Sequence, residues 1–198
     1  MTPFSILTVC TGNICRSPLA EQLLRTRLEA AGLPVTVQSA GTGALVDHGM
    51  TLQAAELARV YGTEPVAHAA QQLTEPLVAG ADLILTASRE HRAEVVSLHP
   101  RASRYAFTLN QFARLVAAAV AEGLPARDES ESPVETLRGF VRTAAALRGA
   151  VPPPAHADED DIIDPYRQSQ EIYDQAGEAI NAAVNTIAVG LTEALEAR

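Results

Sequence analysis

The sequence predicts an α/β domain: a doubly wound, four-stranded parallel sheet with helices on both faces and a ligand loop after the first strand. Three observations predict it. Short apolar runs alternate with longer segments of helical periodicity, the pattern of a parallel sheet with crossover helices. The first run ends in Cys10-Thr11-Gly12-Asn13-Ile14-Cys15-Arg16-Ser17-Pro18, a tight loop closed by a helix start. The 198 residues are 47% hydrophobic, near the globular norm and enough for one core.

The elements follow in order. Phe4–Val9 is apolar and β-branched, as a buried parallel strand should be. Ser17 as N-cap, Pro18 at the first helical position and Glu21 in the first turn predict a helix from Pro18 to Ala31. Val35–Ser39, Asp82–Thr86 and Tyr105–Leu109 read as further strands. Helices are expected near Leu52–Tyr61, Arg89–Leu98, Gln111–Ala121 and Gln168–Ala197. The last repeats Ile172, Ala176, Ile180, Val184, Ile187, Leu191 and Leu195 on one stripe, a packing face. A parallel sheet of this kind binds its ligand beyond the carboxyl ends of the strands, where Cys10 falls.

The first loop joins a nucleophile to an anion site. Gly12 permits a sharp turn and close approach, and Asn13 tolerates a left-handed conformation. The backbone N–H groups of Thr11, Gly12, Asn13, Ile14 and Cys15 and the positive end of the helix dipole together suit a tetrahedral oxyanion. The helix N-terminus, Arg16 and a donor hydroxyl on Ser17 predict Cys10 to be a thiolate at neutral pH. The planar fork of Arg16 matches two equatorial oxygens of a phosphoryl group, which lysine would not reproduce. Cys15 is either packing beneath the loop or a partner for a reversible disulfide with Cys10.

From Val9 to Glu21 the chain resembles the phosphate loop of the low-molecular-weight protein tyrosine phosphatases. Further matches come in the family's order: Ser39-Ala40-Gly41-Thr42, His68 ahead of Gln72-Leu73-Thr74, and Asp164-Pro165-Tyr166. The resemblance implies Cys10 as nucleophile, Arg16 as the phosphoryl ligand and Asp164 as general acid. It also implies Ser39 and His68 as supports of Asn13 and the loop. A phenolate leaving group needs a proton donor, and the same carboxylate then activates the water that cleaves the cysteinyl-phosphate. Tyr166 is placed to stack on a phenyl ring. The substrate class implied is a protein phosphotyrosine, with a bacterial tyrosine kinase as one such partner, and no metal or cofactor is needed.

The chain also departs from the family. After Ser-Ala-Gly, where relatives often carry an aromatic cleft wall, it has Gly43, Ala44, Leu45 and Val46. The stretch from 122 to 161 is an insertion within an otherwise single domain, 1–198. It has a polar, turn-rich start and helical periodicity over Val134–Arg148 (Leu137, Phe140, Val141, Ala144, Leu147). Three prolines, 152–154, follow. Asp158, Glu159, Asp160 and Asp161 read as a solvated, mobile acidic stretch. His48, His91, His99 and His156 have no spacing that argues for chemistry.

Composition narrows the classes. Trp is absent and aromatics are 4%, so the core must be aliphatic. A net charge of −9 argues against nucleic acid or an anionic membrane as a nonspecific partner. No run approaches a membrane span and no leader pattern opens the chain, so a cytoplasmic protein is expected. Two cysteines exclude a disulfide framework or zinc ribbon. Arsenate reduction through an external small thiol is the alternative chemistry, since no cysteine follows Cys15. A noncatalytic phosphate-binding module is the third reading, disfavoured by the presence of nucleophile, arginine and acid together.

Overall fold

The computed structural model describes residues 2–128 and 130–197; Glu129, in the polar start of the insertion, lies outside them. Four strands, β1 (Phe4–Cys10), β2 (Val35–Gly41), β3 (Leu83–Thr86) and β4 (Ala106–Thr108), form one parallel sheet in the order β2-β1-β3-β4. Central β1 pairs with β2 from Phe4↔Val35 to Cys10↔Gly41 and with β3 from Ile6↔Leu83 to Val9↔Thr86. β1 and β2 each run past the expected end, so Cys10 and the Ser39-Ala40-Gly41 segment are strand termini rather than loop.

Alternation along the strands divides the interior in two. Phe4, Ile6, Leu83, Leu85 and Phe107 face helices α1 (Arg16–Ala30), α5 (Leu109–Glu122), α6 (Pro133–Ala146) and α7 (Gln170–Glu196). Leu7, Val9, Ile84 and Ala106 face the smaller layer that holds α3 (Glu75–Ala79) and α4 (Arg89–Leu98). The remaining helix, α2 (Leu52–Val60), packs on α1 and α7. The short α3 has too few residues to show a helical period and went unread in the sequence. Along α7, Tyr173 and Ala194 turn inward at the ends of the stripe, and Ile172 and Leu195 are only partly covered. A Cβ on Gly190 would stand 2.2 Å from Val116 Cγ1, so this glycine lets α7 approach α5 closely.

The helix start differs from expectation. Helix α1 begins at Arg16, with Cys15 in the cap position and no side-chain cap, and Glu21 falls beyond its first turn. Ser17 is one residue inside the helix because its hydroxyl is engaged by Cys10 and Asn13.

The insertion is docked on the body at both ends. On α6, Arg138 donates Nε–H to Asp82 Oδ1 at 2.8 Å, while Asp82 Oδ2 accepts from Ser5 N. Arg148 lies 3.8 Å from the Phe107 ring centroid and donates to the carbonyls of Ser103 and Ala106. The acidic stretch divides: Asp158 and Glu159 are exposed, as expected of a solvated run, whereas the next two residues are ion-paired. Asp160, 8% exposed, pairs with Arg114 of α5 at 2.6 Å, and Asp161 accepts from the Arg89 guanidinium and backbone N–H. Ile162 N then donates to Ala87 O at 2.7 Å. Among the described residues, no helix is long and apolar enough to cross a membrane.

Candidate active site

Cys10 ends the central strand, 2% exposed, and the chain wraps from there through Cys15 into α1. Every carbonyl of the wrap is taken from outside. Thr42 N donates to Cys10 O, Gly43 N to Thr11 O, Leu45 N to Gly12 O and Thr51 N to Ile14 O, all at 2.9–3.0 Å. His68 Nε2 donates to Asn13 O at 2.7 Å and Leu19 N to Cys15 O at 3.2 Å. With the carbonyls turned outward, the N–H groups turn the other way. Among the described residues no protein acceptor meets the backbone N–H of Thr11, Gly12, Asn13, Ile14 or Cys15. Such a ring of free donors is an oxyanion nest.

Asn13 sets this shape. It has φ 55° and is fully buried. Its Nδ2 donates to Ser17 Oγ at 2.9 Å and Ser39 Oγ at 2.8 Å, and its Oδ1 accepts from Gln71 N at 2.9 Å. Ser39 donates in turn to Glu21, which also holds Arg25 and lies 3.9 Å from His68 Nδ1. Ser39 and His68 are thus both in contact with Asn13, and Glu21 and Gln71 complete a network the sequence did not reveal. The glycine whose missing Cβ the protein packing around the loop requires is Gly41. A Cβ at Gly41 would stand 2.3 Å from Thr11 O, whereas one at Gly12 would make an ordinary contact with Ile14.

The reactive groups meet in one cleft of about 270 Å³, lined by Cys10, Arg16, Leu45, Asp164, Tyr166 and Arg167 among others. Cys10 Sγ is 3.0 Å from Ser17 Oγ. Arg16, 6% exposed, donates Nη1–H to Ile162 O at 3.1 Å and forms an ion pair with Asp164, Nη2 to Oδ2 2.9 Å, while its buried Nε has no hydrogen-bond partner. The Nε/Nη2 edge, the bidentate one, therefore meets Asp164 by a charge contact at Nη2 and keeps its Nε donor free. Asp164 also accepts from Tyr166 N at 3.2 Å, closing a tight turn at the cleft mouth. Gly43 and Leu45 stand in the wall, and Tyr166, 37% exposed, is its aromatic element.

Cys15 opens onto the same cleft, and its Sγ lies 3.5 Å from both Thr51 Oγ1 and Tyr173 Oη. Burial pushes this thiol up, against the pull of those two hydrogen bonds, and burial pushes Tyr173 up to about 12. Both cysteines are free thiols. His91, for which spacing suggested nothing, is buried against the loop with Nε2 2.8 Å from Thr11 Oγ1. That contact joins residues 80 apart in sequence, so no local pattern signals it.

Residues 5–125 match the model of the family described as low molecular weight phosphotyrosine protein phosphatase. The low molecular weight protein-tyrosine-phosphatase Etp of Escherichia coli (strain K12) is 46% identical over 96 residues, which are 48% of this chain and 62% of that protein. The match therefore spans less than two thirds of that relative's length. Among solved structures, Vibrio vulnificus Wzb in complex with benzylphosphonate superposes with a TM-score of 0.65 at 26% identity, covering 94% of this chain and 98% of that one. The YwlE arginine phosphatase from Geobacillus stearothermophilus does so with a TM-score of 0.66 at 28% identity, covering 98% and 97%.

Proposed function

We propose, for a chain that belongs to the low molecular weight phosphotyrosine protein phosphatase family, that it hydrolyses protein phosphotyrosine through a cysteinyl-phosphate. The observation that carries this reading is the cleft in which a thiol, a nest of free N–H groups, a half-free arginine edge and a carboxylate converge. Arsenate reduction is not favoured, since the matching family and the relatives named above are phosphatases. The chain is read as one domain, 1–198, because the insertion packs into the same core as α5 and α7.

In this reading the phosphoryl dianion enters the nest and takes the Nε and Nη2 donors of Arg16, displacing Asp164 toward the leaving oxygen. The Cys10 thiolate, accepting from Ser17 Oγ–H, attacks phosphorus in line. Protonated Asp164 gives its proton to the departing phenolate, so a sulfur–phosphorus bond forms as the ester bond breaks. The Asp164 carboxylate then takes a proton from water, the oxygen attacks phosphorus, and the thiolate leaves as inorganic phosphate is released. The N–H nest stabilises the equatorial oxygens in both steps. A bacterial tyrosine kinase is the partner proposed. The dependence on a free Cys10 thiol fits a reducing cytoplasm.

The test is hydrolysis of p-nitrophenyl phosphate, phosphotyrosyl peptide and phosphoarginyl peptide by wild type and Cys10→Ser, with arsenate reduction assayed alongside. Turnover of the aryl esters that falls about a thousandfold or more in Cys10→Ser is expected. The Geobacillus relative named as an arginine phosphatase makes phosphoarginine the competing substrate. Preference for it over phosphotyrosine would overturn the substrate assignment and keep the chemistry.

A further inference from the structure

A histidine outside the proposed chemistry is built into the wall of the phosphate loop. His91 lies in the first turn of α4, 5% exposed, and bridges that helix to Thr11, the residue after the nucleophile. Its Nδ1 is 2.6 Å from Ser88 Oγ and its Nε2 is 2.8 Å from Thr11 Oγ1. Thr11 itself is exposed and lines the cleft beside Cys10.

The Nε2–H tautomer is the assignment that gives the Ser88 hydroxyl proton and the ring proton each an acceptor within the protein. Ser88 caps α4, its Oγ accepting from the His91 backbone N–H at 3.3 Å. In this assignment its own hydroxyl proton goes to Nδ1, which leaves Nδ1 unprotonated and the ring proton on Nε2. The Nε2–H donates to Thr11 Oγ1, and the Thr11 hydroxyl, with an acceptor position filled, keeps its proton to give away. If the ring instead carried its proton on Nδ1, Thr11 would spend its proton on Nε2 and offer only lone pairs to an anion.

We infer that His91 is a positioning residue for the phosphate loop: the Ser88–His91 pair fixes the Thr11 hydroxyl as a side-chain donor to an oxygen of the bound phosphoryl group. This inference rests on the phosphatase reading for its ligand. Burial, and after it the Arg16 guanidinium, push the imidazole down to about 4, against Asp164 and Asp161, which pull it upward. The ring is therefore neutral near pH 7, and a neutral ring is what the relay requires.

Inorganic phosphate titrated calorimetrically into wild type, Thr11→Val, Thr11→Ser, His91→Phe and the Thr11→Val/His91→Phe double variant tests it. Thr11→Val removes the hydroxyl at constant shape on an exposed side chain, and a thermal melt checks that the fold survives the loss of the His91 partner. It is expected to raise the phosphate Kd about tenfold, the value of a hydrogen bond to a charged acceptor. Thr11→Ser should stay within about twofold of wild type. His91→Phe should weaken binding as much as Thr11→Val, and the double variant should be no weaker than either single one. A Thr11→Val Kd equal to wild type, or losses that add in the double variant, overturns the relay. Should His91→Phe fail to fold, His91→Gln, which keeps a donor of similar reach, is expected to retain part of the affinity that Thr11→Val loses, and its failure to do so overturns the role of the ring. Wild type that binds phosphate but hydrolyses neither aryl ester nor phosphoarginine overturns the phosphatase reading and leaves the titration to decide the relay. Wild type that binds no phosphate overturns both.

Discussion

Asn13 holds a left-handed φ of 55° with three side-chain hydrogen bonds, two of them buried and the third partly so. Asn13→Ala would keep the unfavourable backbone, at roughly 1 kcal/mol, leave Gln71 N without its acceptor, and leave Ser17 with Cys10 and Ser39 with Glu21 as remaining partners. A donor left without its acceptor costs about 1–3 kcal/mol. The variant should lose roughly 3 kcal/mol in urea denaturation, and its kcat should fall more steeply than its stability, because the N–H nest no longer holds one shape. Asn13 was legible as a turn former from residue type alone. Glu21 and Gln71 were not, because each enters the network through tertiary contacts with Ser39 and Asn13 rather than through any periodic position. His91 escaped for the same reason. Ser17 misled the helix start because a hydroxyl beside a thiol does more than a cap would: it holds Cys10 and Asn13 at once.

The elements that deliver Asp164 are the 3-10 turn Ala157–Asp160 and the extended residues after it. Two arginines on different helices grip that segment: Arg114 takes Asp160 and Arg89 takes Asp161. The Arg89–Asp161 pair is solvent-exposed on the arginine side, so its weight in stability is small. Its expected effect is on geometry. Asp161→Asn should leave the melting temperature nearly unchanged while slowing aryl phosphates with poor leaving groups by about tenfold and those with good ones hardly at all. Rates across a series of substituted phenyl phosphates check this, and a uniform loss would mean that the clamp does not serve Asp164. The periodicity of α6 was readable because its apolar positions repeat locally. The clamp was not, since Asp161 and Asp160 find their partners 72 and 46 residues away. Four acidic residues in a row carry the same composition whether solvated or gripped.

At the scale of the whole molecule, the buried neutral ring of His91 ties stability to pH. In the unfolded chain it protonates near 6.5, and in the fold only near 4. Between those values the unfolded state binds more protons, so this contribution is complete above pH 6.5 and drains away as pH falls toward 4. The loss is roughly 3 kcal/mol. Chemical denaturation between pH 4 and 7 should show a steeper acid limb for wild type than for His91→Gln, and parallel limbs would refute the assignment. The parallel sheet and its two layers were open to sequence reading because strand alternation and helix periodicity are themselves local. The resting ion pair between Arg16 and Asp164 has a thermodynamic corollary of its own. The carboxylate is an internal competitor for the same donors an incoming anion needs, so catalytic competence is maintained at the expense of grip. Asp164→Asn should therefore turn over slowly yet retain inorganic phosphate more tightly than wild type, and its phosphate Kd would measure how much affinity the resting ion pair withholds from an anion.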